Sequence, residues 1–188
     1  MTLDDIEFIP AARTNAYSRP RNIVIDTVVI HYTANGSIED TIAWFQNSAN
    51  KVSAHYVIGT DGRIVRMVPD DKRAYHAGVS EWQGRPSVNA FSIGIELVNW
   101  GPLKLRDESF FAWPNDYTER YDGDEPVLIG TEYWQSFPEL QLAALEQLLV
   151  LLREEHPIQW LVGHNEIAPG RKIDPGPAFP WERFRPNV

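Results

Sequence analysis

Between Gly163 and Pro177 the chain places three prolines and three glycines together with His164, Lys172 and Asp174. Proline lacks the N–H that helices and ladders need, and glycine favours neither, so this stretch is expected to be a stiff loop. A rigid loop dense in ligand-type side chains positions chemistry as well as connecting elements. From it, His164 and Asp174 can reach one metal ion, with Lys172 beside them. Zinc hydrolases use three protein ligands of this kind and keep a fourth position open. The third ligand has to come from elsewhere, and His31 is the best candidate. It follows the run Thr27-Val28-Val29-Ile30, whose β-branched residues read as a buried strand.

The rest of the chain mixes strands and helices. Ser37 can cap a helix running to about Asn47, with Asp40 at the capping-box position and Ile38, Ile42 and Phe45 on one face. Ser53 to Gly59 and Arg63 to Val68 read as two strands joined through Thr60-Asp61-Gly62. Asp70 to Ser87 reads as loop. Phe91 to Val98 reads as a further strand in which Gly94 allows close backbone approach. From Pro138 to about Glu155, Leu142, Leu145, Leu149 and Leu152 form the stripe of a long helix. Trp181 to Phe184 starts a terminal segment. Residues 1–22 read as an irregular lead-in. Residues 100–136, rich in Trp, Tyr, Asp, Gly and Pro, show no clear period and are expected to form an aromatic-bearing insertion over one side of a cleft. The expected class is α/β, one domain over residues 1–188 with a mixed central β-sheet flanked by helices.

Composition narrows the function. A net charge of -9 argues against a nucleic-acid partner and against adhesion to anionic membranes. With no cysteine, disulfides and thiolate metal ligands are excluded. The acidic N-terminus lacks a basic-then-apolar signal pattern, and no apolar run reaches the length of a membrane span. A cytoplasmic monomer is the expectation.

Four blocks carry a resemblance. His164-Asn165-Glu166-Ile167-Ala168-Pro169, with Arg171-Lys172 and Asp174-Pro175-Gly176-Pro177, resembles the C-terminal motif of the type-2 N-acetylmuramoyl-L-alanine amidases. These share a fold with the peptidoglycan recognition proteins. In the same order come Val29-Ile30-His31-Tyr32-Thr33-Ala34, then Val52-Ser53-Ala54-His55 with Asp61-Gly62. The fourth block is Asp71 to Ser80, leading into Asn89 to Leu97. The match runs from about Asp26 to Phe184, interrupted near residues 100–136, and is nearest to the anhydromuropeptide amidases of cell-wall recycling. It implies zinc held by His31, His164 and Asp174. It also implies cleavage of the amide between N-acetylmuramic acid, or its anhydro form, and L-alanine of the peptidoglycan stem peptide. A non-catalytic module that binds peptidoglycan fragments on the same fold is the alternative.

Glu96 lies in an otherwise apolar strand, where a carboxylate is costly unless it faces a polar cavity or has a partner. It is either a satisfied buried carboxyl or a general base, and the resemblance places a catalytic Glu there. Ala54 stands where other branches of the family carry a Tyr. Lys172 reads either as a surface charge or as a cation that stabilises an oxyanion. His55, His76 and Asn89 are assigned to substrate contact. His156 reads as a solvated helix end.

Overall fold

A computed structural model describes residues 2–13, 16–18, 23–113 and 116–185, with residues 16–18 as backbone only. Its centre is a six-stranded mixed sheet. The strands are β1 (Glu7–Phe8), β3 (Thr27–Tyr32), β4 (Tyr56–Ile58), β5 (Ile64–Arg66), β9 (Ser92–Leu97) and β15 (Trp160–Gly163), in the order β1-β5-β4-β9-β3-β15. Strands β4, β9, β3 and β15 run parallel, whereas β5 is antiparallel to β4. Every residue from Thr27 to His31 is buried, as expected of a strand covered on both faces.

The two faces differ because side chains alternate along each strand. Val28, Ile30, Ile93, Ile95 and Leu97 point to one face and pack under helix α2 (Glu139–Glu155), meeting Leu142, Leu145, Leu148 and Leu152. Burial of each such leucine contributes about 1.5–3 kcal/mol. The same helix is tied to the sheet by Gln141, whose Nε2 donates to the carbonyls of Ile58 and Val98 at 2.9 and 3.0 Å. Val29, His31, Gly94 and Glu96 point to the other face, and the parallel register sets His31 directly beside Glu96. On this face, next to the cleft, lies helix α1 (Ile38–Gln46). The Ser37 Oγ accepts its Asp40 N–H at 3.1 Å, and Ile38, Ile42 and Phe45 are buried.

Several expectations need correction. The lead-in is not wholly irregular: β1 pairs with β5, and β2 (Ala16–Ser18) pairs with β6 (Lys72–Ala74). The loop-like stretch after Asp70 also holds a short hairpin, β7 (Glu81–Trp82) with β8 (Arg85–Pro86). The segment without a clear period is an antiparallel sheet. It consists of β10 (Pro102–Arg106), β11 (Ser109–Ala112), β12 (Glu119–Tyr121), β13 (Val127–Ile129) and β14 (Glu132–Trp134), ordered β12-β11-β10-β14-β13. Its small core is Leu103, Ala112 and Tyr121, with Trp100, Phe110 and Tyr133 packed against it. At its root, Asn99 Nδ2 donates to the Ser136 carbonyl at 3.1 Å, and Gly101 donates to Asn99 Oδ1 at 2.7 Å. His156 is not a solvated end: its Nε2 lies 3.3 Å from Asp70 Oδ2, and Tyr56 donates to Asp70 Oδ1 at 2.8 Å. Burial opposes ionisation of Asp70, but the hydrogen bond from His156, with Arg66 and Tyr56 beside it, outweighs burial and holds its carboxyl below the usual range. Among the described residues no helix is long and apolar enough to cross a membrane.

Candidate metal centre and cleft

The first four residues after β15 form one helical turn, α3 (His164–Ile167), where loop was expected. The reason is local. Glu166 Oε2 accepts the Gly163 N–H at 2.6 Å, satisfying a donor that a helix start leaves open, and Pro169 follows the end. Arg185 then pairs with Glu166 at 2.6 Å and lies 3.5 Å from the Trp181 ring centre, on α4 (Trp181–Phe184). Past α3 the loop returns, and Asn165 donates its N–H to the Asp174 carbonyl at 2.9 Å, which closes the loop on itself. Behind it stand Val29, Val162, Ile167 and Ala168, all buried. The inserted sheet supports it from another side: a Cβ at Gly176 would collide with the Trp134 ring, with 2.9 Å to its Cε3.

This framework brings His31, His164 and Asp174 together, all buried. His31 Nδ1, His164 Nδ1 and Asp174 Oδ2 lie 2.9, 3.0 and 2.9 Å from one another. The far nitrogen of His164, Nε2, is 3.2 Å from the Ala77 carbonyl, which can only accept. The His164 proton therefore belongs on Nε2, and Nδ1 turns a lone pair toward the Asp174 carboxylate. Two lone pairs at 2.9 Å repel unless a cation lies between them. Three converging donors of the N, N, O type, one with its tautomer already set by a backbone carbonyl, fit a metal ion. Burial lowers the His31 imidazole to about 4, with the neighbouring carboxylate only partly offsetting it, so the ring is neutral, the form that ligates.

The cluster opens into a cleft of about 870 Å³. Glu96 stands on its wall, one strand over from His31. Glu96 Oε2 is enclosed and has no hydrogen-bond partner among the described residues. Burial, and then the charge of Asp174, push the Glu96 carboxyl well above the usual range, while Lys172 works the other way. Lys172 is exposed and lines the cleft mouth. Trp113, from the inserted sheet, and Trp44, from α1, complete the rim; both are about half exposed, at 49% and 57%. A second lobe of about 510 Å³ opens beyond His76 and His164 and is lined by Lys51, Tyr75, Asn89 and Arg171.

The expected substrate contacts divide. His76 lines both lobes, and its Nδ1 lies 3.0 Å from His31 Nε2. Asn89 reaches the second lobe, yet its Oδ1 already accepts the N–H groups of His76 and Ala77 at 3.1 and 2.8 Å, so it shapes that backbone. His55 is fully buried instead of facing the cleft. Its Nδ1 accepts the Gly94 N–H at 3.0 Å and its Nε2 donates to the Lys72 carbonyl at 3.1 Å. Arg171 carried no expected role. The structure uses its Nη2 to hold the Ala77 and Val79 carbonyls at 2.7 and 2.8 Å, clamping the His76 loop to the metal loop. Its adjacency to Lys172 was the available signal.

Comparison with known proteins shows what the chain is similar to. The chain is 41% identical over 137 residues to the 1,6-anhydro-N-acetylmuramyl-L-alanine amidase AmpD of Escherichia coli K12, a match covering 72% of this chain and 57% of that protein. It thus spans little more than half of that relative's length. Among solved structures, an AmpD selenomethionine derivative superposes with a TM-score of 0.73 at 31% identity, covering 98% of this chain and 94% of that one. E. coli AmiD, solved with anhydro-N-acetylmuramic acid-L-Ala-D-γ-Glu-L-Lys, gives 0.67 at 30% identity, covering 89% of this chain and 60% of that one. The N-acetylmuramoyl-L-alanine amidase family matches residues 20–177, more than half of the sequence, so the chain belongs to that family.

Proposed function

We propose that this chain is a zinc-dependent hydrolase acting as a single chain. Its substrate is the amide between N-acetylmuramic acid, or its anhydro form, and L-alanine of the peptidoglycan stem peptide. The observation that carries the reading is the triangle of His31 Nδ1, His164 Nδ1 and Asp174 Oδ2, 2.9–3.0 Å on a side, with Glu96 in register beside it. Zinc held by these three residues supplies Lewis acidity to the substrate carbonyl and to water. Glu96, ionised, takes a proton from the water as its oxygen attacks the carbonyl carbon. The same carboxyl then returns that proton to the amine nitrogen of L-alanine as the C–N bond breaks. Lys172 offers its ammonium to the negative charge that develops on the carbonyl oxygen. A binding module would need neither the complete ligand set nor a carboxyl with an enclosed, unpartnered oxygen.

Metal content and product analysis test this together. Purified protein should carry one zinc and release the free stem peptide from an anhydromuropeptide, and chelation should stop release until zinc is restored. Full activity without metal would overturn the zinc reading. One bound zinc with uncut muropeptide would leave the binding module. Intact sacculi assayed in parallel show whether polymeric wall is also cut.

A further inference from the structure

Behind His31 runs a chain of hydrogen bonds that ends on a backbone carbonyl. His31 Nε2 lies 3.0 Å from His76 Nδ1, His76 Nε2 lies 3.1 Å from Ser92 Oγ, and Ser92 Oγ lies 2.7 Å from the Val88 carbonyl. All three side chains are buried, with Ser92 wholly enclosed. The direction of the chain follows from its end. A carbonyl only accepts, so the single hydroxyl proton of Ser92 goes to Val88. Ser92 Oγ must then accept from His76 Nε2–H, which leaves His76 Nδ1 as an acceptor. That acceptor takes the Nε2–H of His31, and His31 Nδ1 is left with its lone pair facing His164 and Asp174.

Room for this chain is made by Gly94. It pairs with Val29 in the middle of β9, where glycine normally weakens a strand. A close backbone approach was expected at Gly94, but what approaches is the His76 ring. A Cβ at Gly94 would lie 2.6 Å from His76 Nδ1 and 2.7 Å from Cδ2, inside van der Waals contact. The His55 ring also packs edge-on against the His76 ring, at 5.7 Å between centroids. Gly94 also donates its N–H to His55. The Gly94 backbone and the His55 and His31 rings together bound the His76 ring.

We propose that His76 is a positioning residue. Through Ser92 it sets which nitrogen of His31 is offered to the metal, and Gly94 is glycine so that the His76 ring can lie there. The proposal rests on the metal reading above. His164 receives the same service from the Ala77 carbonyl, so each imidazole ligand has its own acceptor behind it. Second-layer partners of this kind typically affect metal affinity by about 10–100-fold.

The test is zinc or cobalt titration of chelated, refilled protein, with a thermal melt of the chelated form as control. His76→Leu should bind the metal about 10–100-fold more weakly. His76→Asn, whose Oδ1 can accept where Nδ1 did, should recover most of that loss. Gly94→Ala should weaken binding similarly. Adding Gly94→Ala to His76→Leu should cost little more, because both act through the same ring. Should the Leu variant fail to fold, Ser92→Ala decides: it leaves both rings and removes only the acceptor of His76. Long-range ¹H–¹⁵N spectra of chelated protein should show His31 as the Nε2–H tautomer in the parent, and a mixture in Ser92→Ala. Undiminished affinity in His76→Leu, an Asn variant as weak as Leu, or an unmixed tautomer in Ser92→Ala each overturns the proposal. A parent protein that binds no metal overturns the metal reading and this proposal together, so the two failures are told apart.

Discussion

Replacing Glu96 with Gln should lower activity and raise stability at once. Glutamine keeps the shape but cannot take the proton from water, so kcat should fall by about 10²–10⁴, the usual worth of general acid–base catalysis. At about 1.36 kcal/mol per decade that is about 2.7–5.4 kcal/mol of transition-state stabilisation. The stability effect follows from the enclosed Oε2 and the raised Glu96 carboxyl. In the unfolded chain this carboxyl ionises near 4.5, whereas in the fold it holds its proton to higher pH. Above about 4.5 the unfolded state therefore binds fewer protons, and stability falls as pH rises until Glu96 ionises in place. Glutamine carries no such penalty. In chelated protein the Tm of Glu96→Gln should match the parent at about pH 4 and exceed it by a margin that grows as pH rises above about 4.5, until Glu96 ionises in the fold. Zinc content should stay near one per chain. Parent-like turnover, or a variant less stable than the parent at about pH 8, would refute the reasoning.

His164→Ala should lose both metal and activity, whereas Lys172→Met should keep the metal and lose about 10²–10³ in kcat; elemental analysis with steady-state kinetics separates them. Trp113, half exposed at the cleft rim, should act on the substrate alone. Trp113→Ala should raise KM about 2- to 12-fold, from about 0.5–1.5 kcal/mol of ring contact, with Tm nearly unchanged. Trp134 is buried and rests on Gly176, so Trp134→Ala should cost about 3–5 kcal/mol and lower Tm by about 6–20 °C. It should also weaken metal binding, since Gly176 is two residues past Asp174.

The residues of the His31, His164 and Asp174 cluster, and Glu96 beside it, stood out because each breaks a pattern. His31 ends an apolar strand, Glu96 interrupts one, and His164 and Asp174 sit in a loop too rich in Pro and Gly to be regular throughout. The long helix was legible from its leucine stripe. The inserted sheet was not, for reasons of turn chemistry and strand length. Its β10–β11 hairpin turns through Asp107 and Glu108, both at positive φ, where a sequence signal would need Asn-Gly or Asp-Gly. Phe110 and Phe111 are adjacent, which hides the alternation of β11, and β12 buries only Tyr121 of its three residues. His55 and His156 were misplaced because a histidine's partners lie far away in sequence. The Gly94 and Lys72 backbone groups claim the first, and Asp70 claims the second.

His31, Glu96 and His164 enter the cleft from the same end of three adjacent parallel strands. Tyr32 pairs with Leu97, and Ile30 pairs with Gly163 just before His164. The backbone spacing between His31 and Glu96 is therefore one interval of the sheet, about 4.7–4.9 Å, set by backbone hydrogen bonds. Swapping one leucine for another large apolar residue under α2 leaves that interval untouched. Slipping β3 by one residue against β9 would turn His31 toward the face now held by Ile30, and slipping it by two would carry it about 6.6 Å along the strand. No intermediate displacement is compatible with the ladder. The placement of Glu96 beside His31 is thus quantised: it is kept or lost in whole register steps.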